Sequence, residues 1–122
     1  MEGIVESGIG EGAQYVSVYS DKIEEALNCK PFLGTLNLII DPKEKSEFLN
    51  TETDFVIKEF EKDEENFGTV HCYKVIINNE IEGVLVIPVR ANYPNTIIEV
   101  VSAINLRSKY DLKDGDKVVL SK

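Results

Sequence analysis

Apolar and polar residues alternate in short runs along most of the chain, and a period of two is typical of half-buried β-strands. The runs cover residues 3–8 (GIVESG), 13–19 (AQYVSVY), 34–41 (GTLNLIID), 54–60 (DFVIKEF), 69–77 (TVHCYKVII), 81–89 (IEGVLVIPV), 96–103 (TIIEVVSA) and 117–121 (KVVLS). Closure into a barrel would remove the exposed edges of so many short strands. We therefore expect a mainly β fold, a small closed barrel of six to seven strands with short helices.

Turn residues and two helical patterns separate these runs. Asp41-Pro42 ends one strand, and Asn78-Asn79 predicts a tight turn between the two longest runs. Residues 21–27 (DKIEEAL) predict two turns of helix with Ser20 as N-cap, and residues 106–112 (LRSKYDL) predict a second short helix. Residues 90–95 read as a loop, and residues 113–116 (KDGD) as a turn that Asp114 and Asp116 stabilise.

Length and composition favour one domain over residues 1–122, because a chain of 122 residues can close a single core without disulfides. The chain has no apolar run long enough to cross a bilayer and no basic start with an apolar segment after it. We therefore expect a cytoplasmic protein without a membrane partner. Cys29 and Cys72 are the only cysteines and are expected to stay reduced, and His71 is the only histidine.

The chain is strongly acidic, with a formal net charge of -9. Residues 43–65 contain nine acidic residues and four lysines, a pattern typical of a solvated face. A surface that binds duplex nucleic acid needs clustered Lys and Arg, so nucleic acid is not an expected partner. The residues leave the oligomeric state open, with a monomer favoured.

Three glycines stand at alternate positions, Gly8, Gly10 and Gly12, between an apolar run and the next predicted strand. Glycines let a ligand approach the backbone, and consecutive free N–H groups can bind an anion. The spacing matches neither the dinucleotide nor the Walker fingerprint. By itself it is compatible with a phosphate cradle or with an ordinary β-turn.

Two oxygen-bearing side chains share one face of the strand predicted at residues 34–41. Alternation places Leu36, Leu38 and Ile40 on one face and Thr35 and Asn37 on the other. A hydroxyl and an amide carbonyl are hard oxygen donors of the kind that Mg²⁺ accepts beside nucleotide phosphates. The same pattern also fits a strand whose polar face meets solvent.

Glu99 and Arg107 complete the candidate chemistry. On its strand face Glu99 is next to Ile97 and Val101, so its carboxylate is either an outward surface group or a site group. Arg107 has a permanently charged planar fork suited to phosphate, and otherwise fits a surface ion pair.

Five stretches, in this order and spacing, closely resemble the archaeal CTP-dependent riboflavin kinases: GIVESGIGEGAQYVS, KPFLGTLNLII, GVLVIPV, IIEVVSAINLR and LKDGDKVVL. The most specific are the glycine loop followed by Gly-Thr-Leu-Asn, and the later Glu-x-x-x-x-x-Asn-Leu-Arg. The likeness spans nearly the whole chain and is weakest over residues 43–70. It implies a riboflavin-kinase-like cradle-loop barrel that phosphorylates riboflavin to FMN with CTP as donor.

The resemblance also implies a set of site residues. CTP or CDP would be bound by Gly8, Ile9, Gly10, Glu11, Gly12 and Ala13 on one side and by Ile104, Asn105, Leu106 and Arg107 on the other. Thr35 and Asn37 would hold the Mg²⁺ cofactor, and Glu99 would contact riboflavin or FMN. Ala91 would also belong to the flavin-binding residues, although it departs from the family, which commonly has a flavin-contacting threonine at this position.

Two other classes of function fit the residues. One is a non-catalytic barrel that binds a nucleotide, a flavin or a protein partner, because LKDGDKVVL endings occur widely among such barrels. The other is a kinase of the same type with a different donor or acceptor, because Ala91 removes an expected hydroxyl contact. For the kinase itself, Glu99 is a candidate for orienting the flavin or for general base, and orientation is the favoured role.

Overall fold

The structure, a computed structural model, describes residues 1–7, 12–89 and 94–122, with residues 12–15 described by their backbone alone. Its strands are β1 (Glu2–Glu6), β2 (Leu36–Ile39), β3 (Phe55–Ile57), β4 (Phe60–Lys62), β5 (Glu65–Phe67), β6 (Val70–Ile77), β7 (Ile81–Pro88), β8 (Ile97–Ser102) and β9 (Lys117–Ser121). Its helices are α1 (Gly12–Leu27), α2 (Pro42–Phe48) and α3 (Leu106–Tyr110).

Six antiparallel strands close into a barrel in the order β6, β7, β8, β2, β1 and β9, and β9 pairs back with β6. Strand β3 pairs with the first residues of β6, whereas β9 pairs with its last two. Strands β4 and β5 form a separate hairpin. The prediction of a small closed β-barrel with additional helices is confirmed.

The barrel interior is filled by apolar side chains that alternate along the strands. One inward residue from each of five neighbouring strands shows the pattern, and all are almost fully buried: Val5, Leu38, Val75, Leu85 and Val118. The turn predicted between the longest strands is also confirmed, because Asn78 and Asn79 both have positive φ values, 50° and 57°.

Helix α1 covers part of the outer surface of the barrel. Its buried residues Val16, Tyr19, Ile23 and Leu27 recur every three or four positions, as expected for one helical face. They pack in one cluster with outward residues of the barrel strands, among them Val84, Val86 and Val101. The outer face of the barrel at this place is therefore a second apolar core.

The strand predicted at residues 13–19 is wrong, because these residues belong to α1, and Ser20 lies inside that helix instead of capping it. Residues 13–19 fit both periods, since Val16 and Tyr19 are three positions apart. Residues of α1 pack on the apolar outer face of β7 and β8 and bury it from water. Tertiary packing thus overrides the local β preference.

Two elements of the acidic segment were not predicted. Helix α2 starts where the strand prediction ends. The Asp41 side chain caps it by accepting hydrogen bonds from the N–H groups of Lys43 and Glu44, and Pro42 is the first residue of the helix. The β4–β5 hairpin packs on α1 through Phe60 and Phe67, which both contact the ring of Tyr19.

The two cysteines carry free thiols, as predicted. Cys29 is exposed, and Cys72 is buried between the barrel and α1. Burial raises the pKa of the Cys72 thiol to about 12.

Candidate functional site

The polar face of β2 points outward from the barrel, as the alternation predicts. Leu36 and Leu38 are buried in the interior, while Thr35 and Asn37 are half-buried on the other face. The Thr35 hydroxyl Oγ1 lies 3.0 Å from Asn37 Oδ1, close enough to donate a hydrogen bond to it. The two predicted metal ligands are therefore neighbours on one surface.

Glu99 joins this pair through the pairing of β2 with β8. Asn37 is directly opposite Glu99 in the ladder, and Glu99 Oε1 lies 3.1 Å from Thr35 Oγ1. Together Thr35, Asn37 and Glu99 form what we call the oxygen cluster. It brings the predicted flavin contact and the predicted metal ligands to the same place, and its hydroxyl, amide and carboxylate oxygens are donors that suit Mg²⁺.

Glu6 is a further carboxylate beside the oxygen cluster that the sequence did not suggest. It is directly opposite Asn37 in the pairing of β1 with β2, and it shares the outer face because Gly3 and Val5 point inward. Alternation alone could have placed Glu6 on an outward face. Its position beside Asn37 follows from the pairing of β1 with β2, and the alternation along a single strand does not predict which strands pair.

A cleft of about 200 Å³ is lined by Thr35 of the oxygen cluster and by residues at the start of α3. It connects two groups of predicted site residues that are about 70 positions apart in the chain. Its lining residues come from the segment before β2, from β2 and β8, and from α3 with the two residues before it: Phe32, Gly34, Thr35, Leu36, Val100, Ser102, Ile104, Asn105, Leu106 and Arg107.

The four predicted nucleotide-binding residues at the start of α3 have different surroundings. Leu106 is buried in the barrel core, and Asn105 caps α3 because its Oδ1 accepts from the Ser108 N–H at 3.3 Å. Ile104 is 38% exposed at the cleft. Leu106 and Asn105 thus fix the segment that places Ile104 and Arg107 at the cleft wall.

Arg107 lines the cleft and takes part in a polar contact network. Its Nη2 is 2.6 Å from Asp114 Oδ1 and 3.5 Å from Ser7 Oγ, and its Nη1 is 3.4 Å from the Leu112 carbonyl oxygen. Ser7 Oγ is 2.9 Å from both carboxylate oxygens of Asp114. The hydrogen bonds from Arg107 and Ser7 hold the pKa of Asp114 below its ordinary value.

The lining of the cleft also contains an aromatic side chain, Phe32, that no sequence motif indicated. Phe32 is 41% exposed, and its N–H donates to the Ser102 carbonyl at 2.7 Å. Its ring lies against Gly34, where an added Cβ would be 3.0 Å from Phe32 Cε1. The cleft therefore has an apolar portion formed by Phe32 and Ile104, and polar groups at Thr35 and Arg107.

Some predicted site residues lie outside the described part of the chain. Gly8, Ile9, Gly10, Glu11 and Ala91 belong to this group, so their assignments stay predictions. Gly12 and Ala13 are the first two residues of α1.

Within residues 1–7, 12–89 and 94–122, no three or more His, Cys, Asp and Glu side chains gather in a way that would hold a metal ion. Among the helices that can be described, none combines the length and apolar character required for a membrane span.

Comparisons with known proteins add an independent observation. The family model CTP-dep_RFKase, described as "Domain of unknown function DUF120", matches residues 5–121. A protein of Pyrococcus furiosus named riboflavin kinase is 44% identical over 117 residues, which are 95% of this chain and 55% of that protein. One of Archaeoglobus fulgidus with the same name is 46% identical over 123 residues, 97% of this chain and 52% of that protein.

A shorter relative is matched over more of its length. A Saccharolobus solfataricus protein, also named riboflavin kinase, is 34% identical over 125 residues, which are 98% of this chain and 71% of that protein. The chain thus spans about half the length of the Pyrococcus and Archaeoglobus proteins and most of the Saccharolobus protein.

Proposed function

The chain belongs to the archaeal CTP-dependent riboflavin kinase family, and from this membership we propose that it transfers the γ-phosphate of CTP to riboflavin, giving FMN and CDP. The observation that carries the proposal is the oxygen cluster, whose member Thr35 lines the same cleft as Arg107. The reaction needs positioning of two substrates and neutralisation of phosphate charge, and these residues offer both.

In the proposed reaction the ribityl 5′-hydroxyl oxygen forms a bond to the γ-phosphorus of CTP. The bond from that phosphorus to the β–γ bridging oxygen breaks, CDP carries away the electron pair, and the hydroxyl proton is released. Little covalent chemistry is left to the protein, so the side chains act mainly by orientation and electrostatics.

Thr35 and Asn37 are the residues that would hold Mg²⁺. Their oxygens are 3.0 Å apart on one strand face, and the Glu99 carboxylate is within hydrogen-bond distance of Thr35. When bound, the ion supplies neutralisation of the negative charge on the phosphate oxygens. Neutralisation by the ion is important here, because the chain has a net charge of -9 and its overall field repels a nucleoside triphosphate.

The polarity of the cleft matches the polarity of a nucleotide. Phe32 and Ile104 present exposed apolar surface suited to a flat base, and base-to-aromatic stacking stabilises binding by roughly 1–3 kcal/mol. Arg107 offers a guanidinium suited to phosphate oxygens. The glycines before α1 would approach the nucleotide from the other side, as the family resemblance implies.

Glu99 is the residue proposed to contact the riboflavin hydroxyl. Its carboxylate lies beside the two metal ligands, so an acceptor hydroxyl bound to it would be next to the phosphates. We assign Glu99 to orientation of the acceptor, with the general-base role as the alternative that substitution can test. The residues near Ala91 are proposed to contact the flavin as well.

The experiment is the formation of FMN from riboflavin and Mg²⁺ with CTP or ATP as the sole donor, followed by chromatographic separation of the flavins. FMN is expected with CTP and not with ATP. Equal FMN from both donors would contradict the CTP preference but not the kinase. The absence of FMN with any nucleoside triphosphate, from protein with a cooperative thermal transition, would instead favour a non-catalytic binding barrel.

A further inference from the structure

The turn that follows α3 is fixed against the end of β1. Val5 donates its N–H to the Asp116 carbonyl at 2.8 Å, and the Gly115 N–H donates back to the Val5 carbonyl at 2.9 Å. The Asp116 side chain accepts from the Lys113 N–H at 2.8 Å and so stabilises the turn itself. The backbone therefore sets the position of Asp114, and the Asp114 carboxylate faces Arg107 and Ser7 instead of the turn.

The Arg107 end of the contact is also fixed. Asn105 caps the first turn of α3, Leu106 is buried, and the Arg107 carbonyl accepts from the Leu112 N–H at 2.9 Å. Exposed ion pairs are usually weak because two long side chains lose freedom when they meet. That cost is smaller here, since Asp114 is short and both backbones are held.

We propose that Asp114, assisted by Ser7, is a positioning residue for the nucleotide donor: it holds the Arg107 guanidinium at the rim of the cleft. The assignment deepens the proposed function and rests on it. A guanidinium has five N–H donors. The contacts of Arg107 with Asp114, Ser7 and Leu112 use at most three of them, so donors are left for phosphate oxygens.

The same network links three segments that border the donor site. Ser7 directly precedes Gly8 in the sequence, Arg107 lines the cleft, and Asp114 belongs to the turn after α3. Loss of the Asp114 charge would weaken the hold on the Arg107 guanidinium and on Ser7, while the backbone hydrogen bonds between the turn and β1 would remain. The expected consequence is specific to the donor, because the Asp114 carboxylate contacts Arg107 and Ser7, whereas the oxygen cluster is held by contacts of its own.

The test is a double-mutant cycle with Asp114→Asn and Arg107→Gln, measured as the KM for CTP and as CTP affinity by calorimetry in the presence of Mg²⁺. Glu80→Gln is the matched control. Glu80 pairs at 3.5 Å with Lys109, which belongs to α3 as Arg107 does, and this ion pair is about as exposed as the pair of Arg107 with Asp114. Asp114→Glu tests rescue by a retained charge. Thermal melts of all variants report folding separately.

Asp114→Asn is expected to weaken CTP binding about fivefold, the upper range for an exposed pair, and to leave the KM for riboflavin unchanged. In the Arg107→Gln background the same substitution should have no further effect. Asp114→Glu should recover most of the affinity, and Glu80→Gln should match the parent.

An equal fold-change from Asp114→Asn in both backgrounds would overturn the assignment, as would an unchanged CTP affinity. Parallel increases in both KM values with a lowered melting temperature would show a merely structural role and would also overturn it. A parent protein that binds CTP without forming FMN would contradict the proposed reaction, while the binding cycle would still decide the role of Asp114.

Discussion

Replacement of Thr35 by valine tests the oxygen cluster with the smallest possible change in shape. Valine has the volume of threonine but no hydroxyl. The Thr35 hydroxyl is 3.0 Å from Asn37 Oδ1 and 3.1 Å from Glu99 Oε1, so the substitution removes every contact that this group makes with them.

The structure predicts a small effect on stability and a large one on activity. Thr35 is half-buried, and a hydrogen bond of this kind contributes about 1 kcal/mol to the free energy of unfolding. In a chain of this length that corresponds to a fall in melting temperature of roughly 4 °C. If Thr35 holds Mg²⁺, the loss of this ligand should instead lower kcat about 100-fold, because the ion neutralises negative charge on the phosphate oxygens.

The assay compares initial rates of FMN formation and thermal melts for the parent, Thr35→Val and Thr51→Val. Thr51 is the control, because its hydroxyl accepts from Lys122 Nζ and does not line the cleft. Thr51→Val should keep the parental kcat. Full turnover of Thr35→Val at limiting Mg²⁺ concentration would contradict the assignment of Thr35 as a metal ligand.

Four further predictions concern Glu99, Phe32 and the two cysteines. Glu99→Gln should raise the KM for riboflavin and keep most of kcat if the carboxylate orients the acceptor, whereas a large loss of kcat with an unchanged KM for riboflavin would identify a general base instead. Phe32→Ala should raise the KM for CTP roughly tenfold, because the stacking of the cytosine on the Phe32 ring is lost. An unchanged KM would show that the cytosine does not stack on Phe32. At pH 8 a thiol reagent should modify Cys29 and spare Cys72 in the native protein, because burial raises the Cys72 pKa to about 12. The unfolded thiol releases its proton first, so stability should fall as the pH rises from about 9 towards 12, and a Cys72→Ala variant should lack this component.

Much of the barrel follows from alternation along single strands. The outward direction of Thr35 and Asn37, the Asn78-Asn79 turn and the inward apolar residues are all local consequences of a period of two. The closing contact between β9 and β6 is different, because it joins residues more than 40 positions apart. Local patterns do not contain such pairings, so closure was an expectation based on edge protection.

Helix α1 shows the limit of the same reasoning. Its first half has the β-branched and aromatic residues of a strand, and its helical face becomes visible only when Ile23 and Leu27 are counted with Val16 and Tyr19. The deciding factor is the apolar outer surface of β7 and β8, which the sequence does not reveal.

The candidate site could be predicted residue by residue but not as an arrangement. Thr35 and Asn37 were recognised from their shared strand face, whereas their meeting with Glu99 depends on the register of β2 with β8 across 64 positions. Asp114 was assigned to the turn after α3 alone. Its contact with Arg107 arises from the docking of that turn on β1, which is a tertiary event.

Transfer of label from γ-labelled CTP to riboflavin, measured side by side for the parent and Asn37→Ala, tests the proposed reaction and its metal ligands together. Labelled FMN is expected from the parent in the presence of Mg²⁺. Asn37→Ala should melt within a few degrees of the parent and yield almost none. Equal label in FMN from both proteins would contradict the assignment of the site, and unlabelled flavin from the folded parent would contradict the proposed reaction.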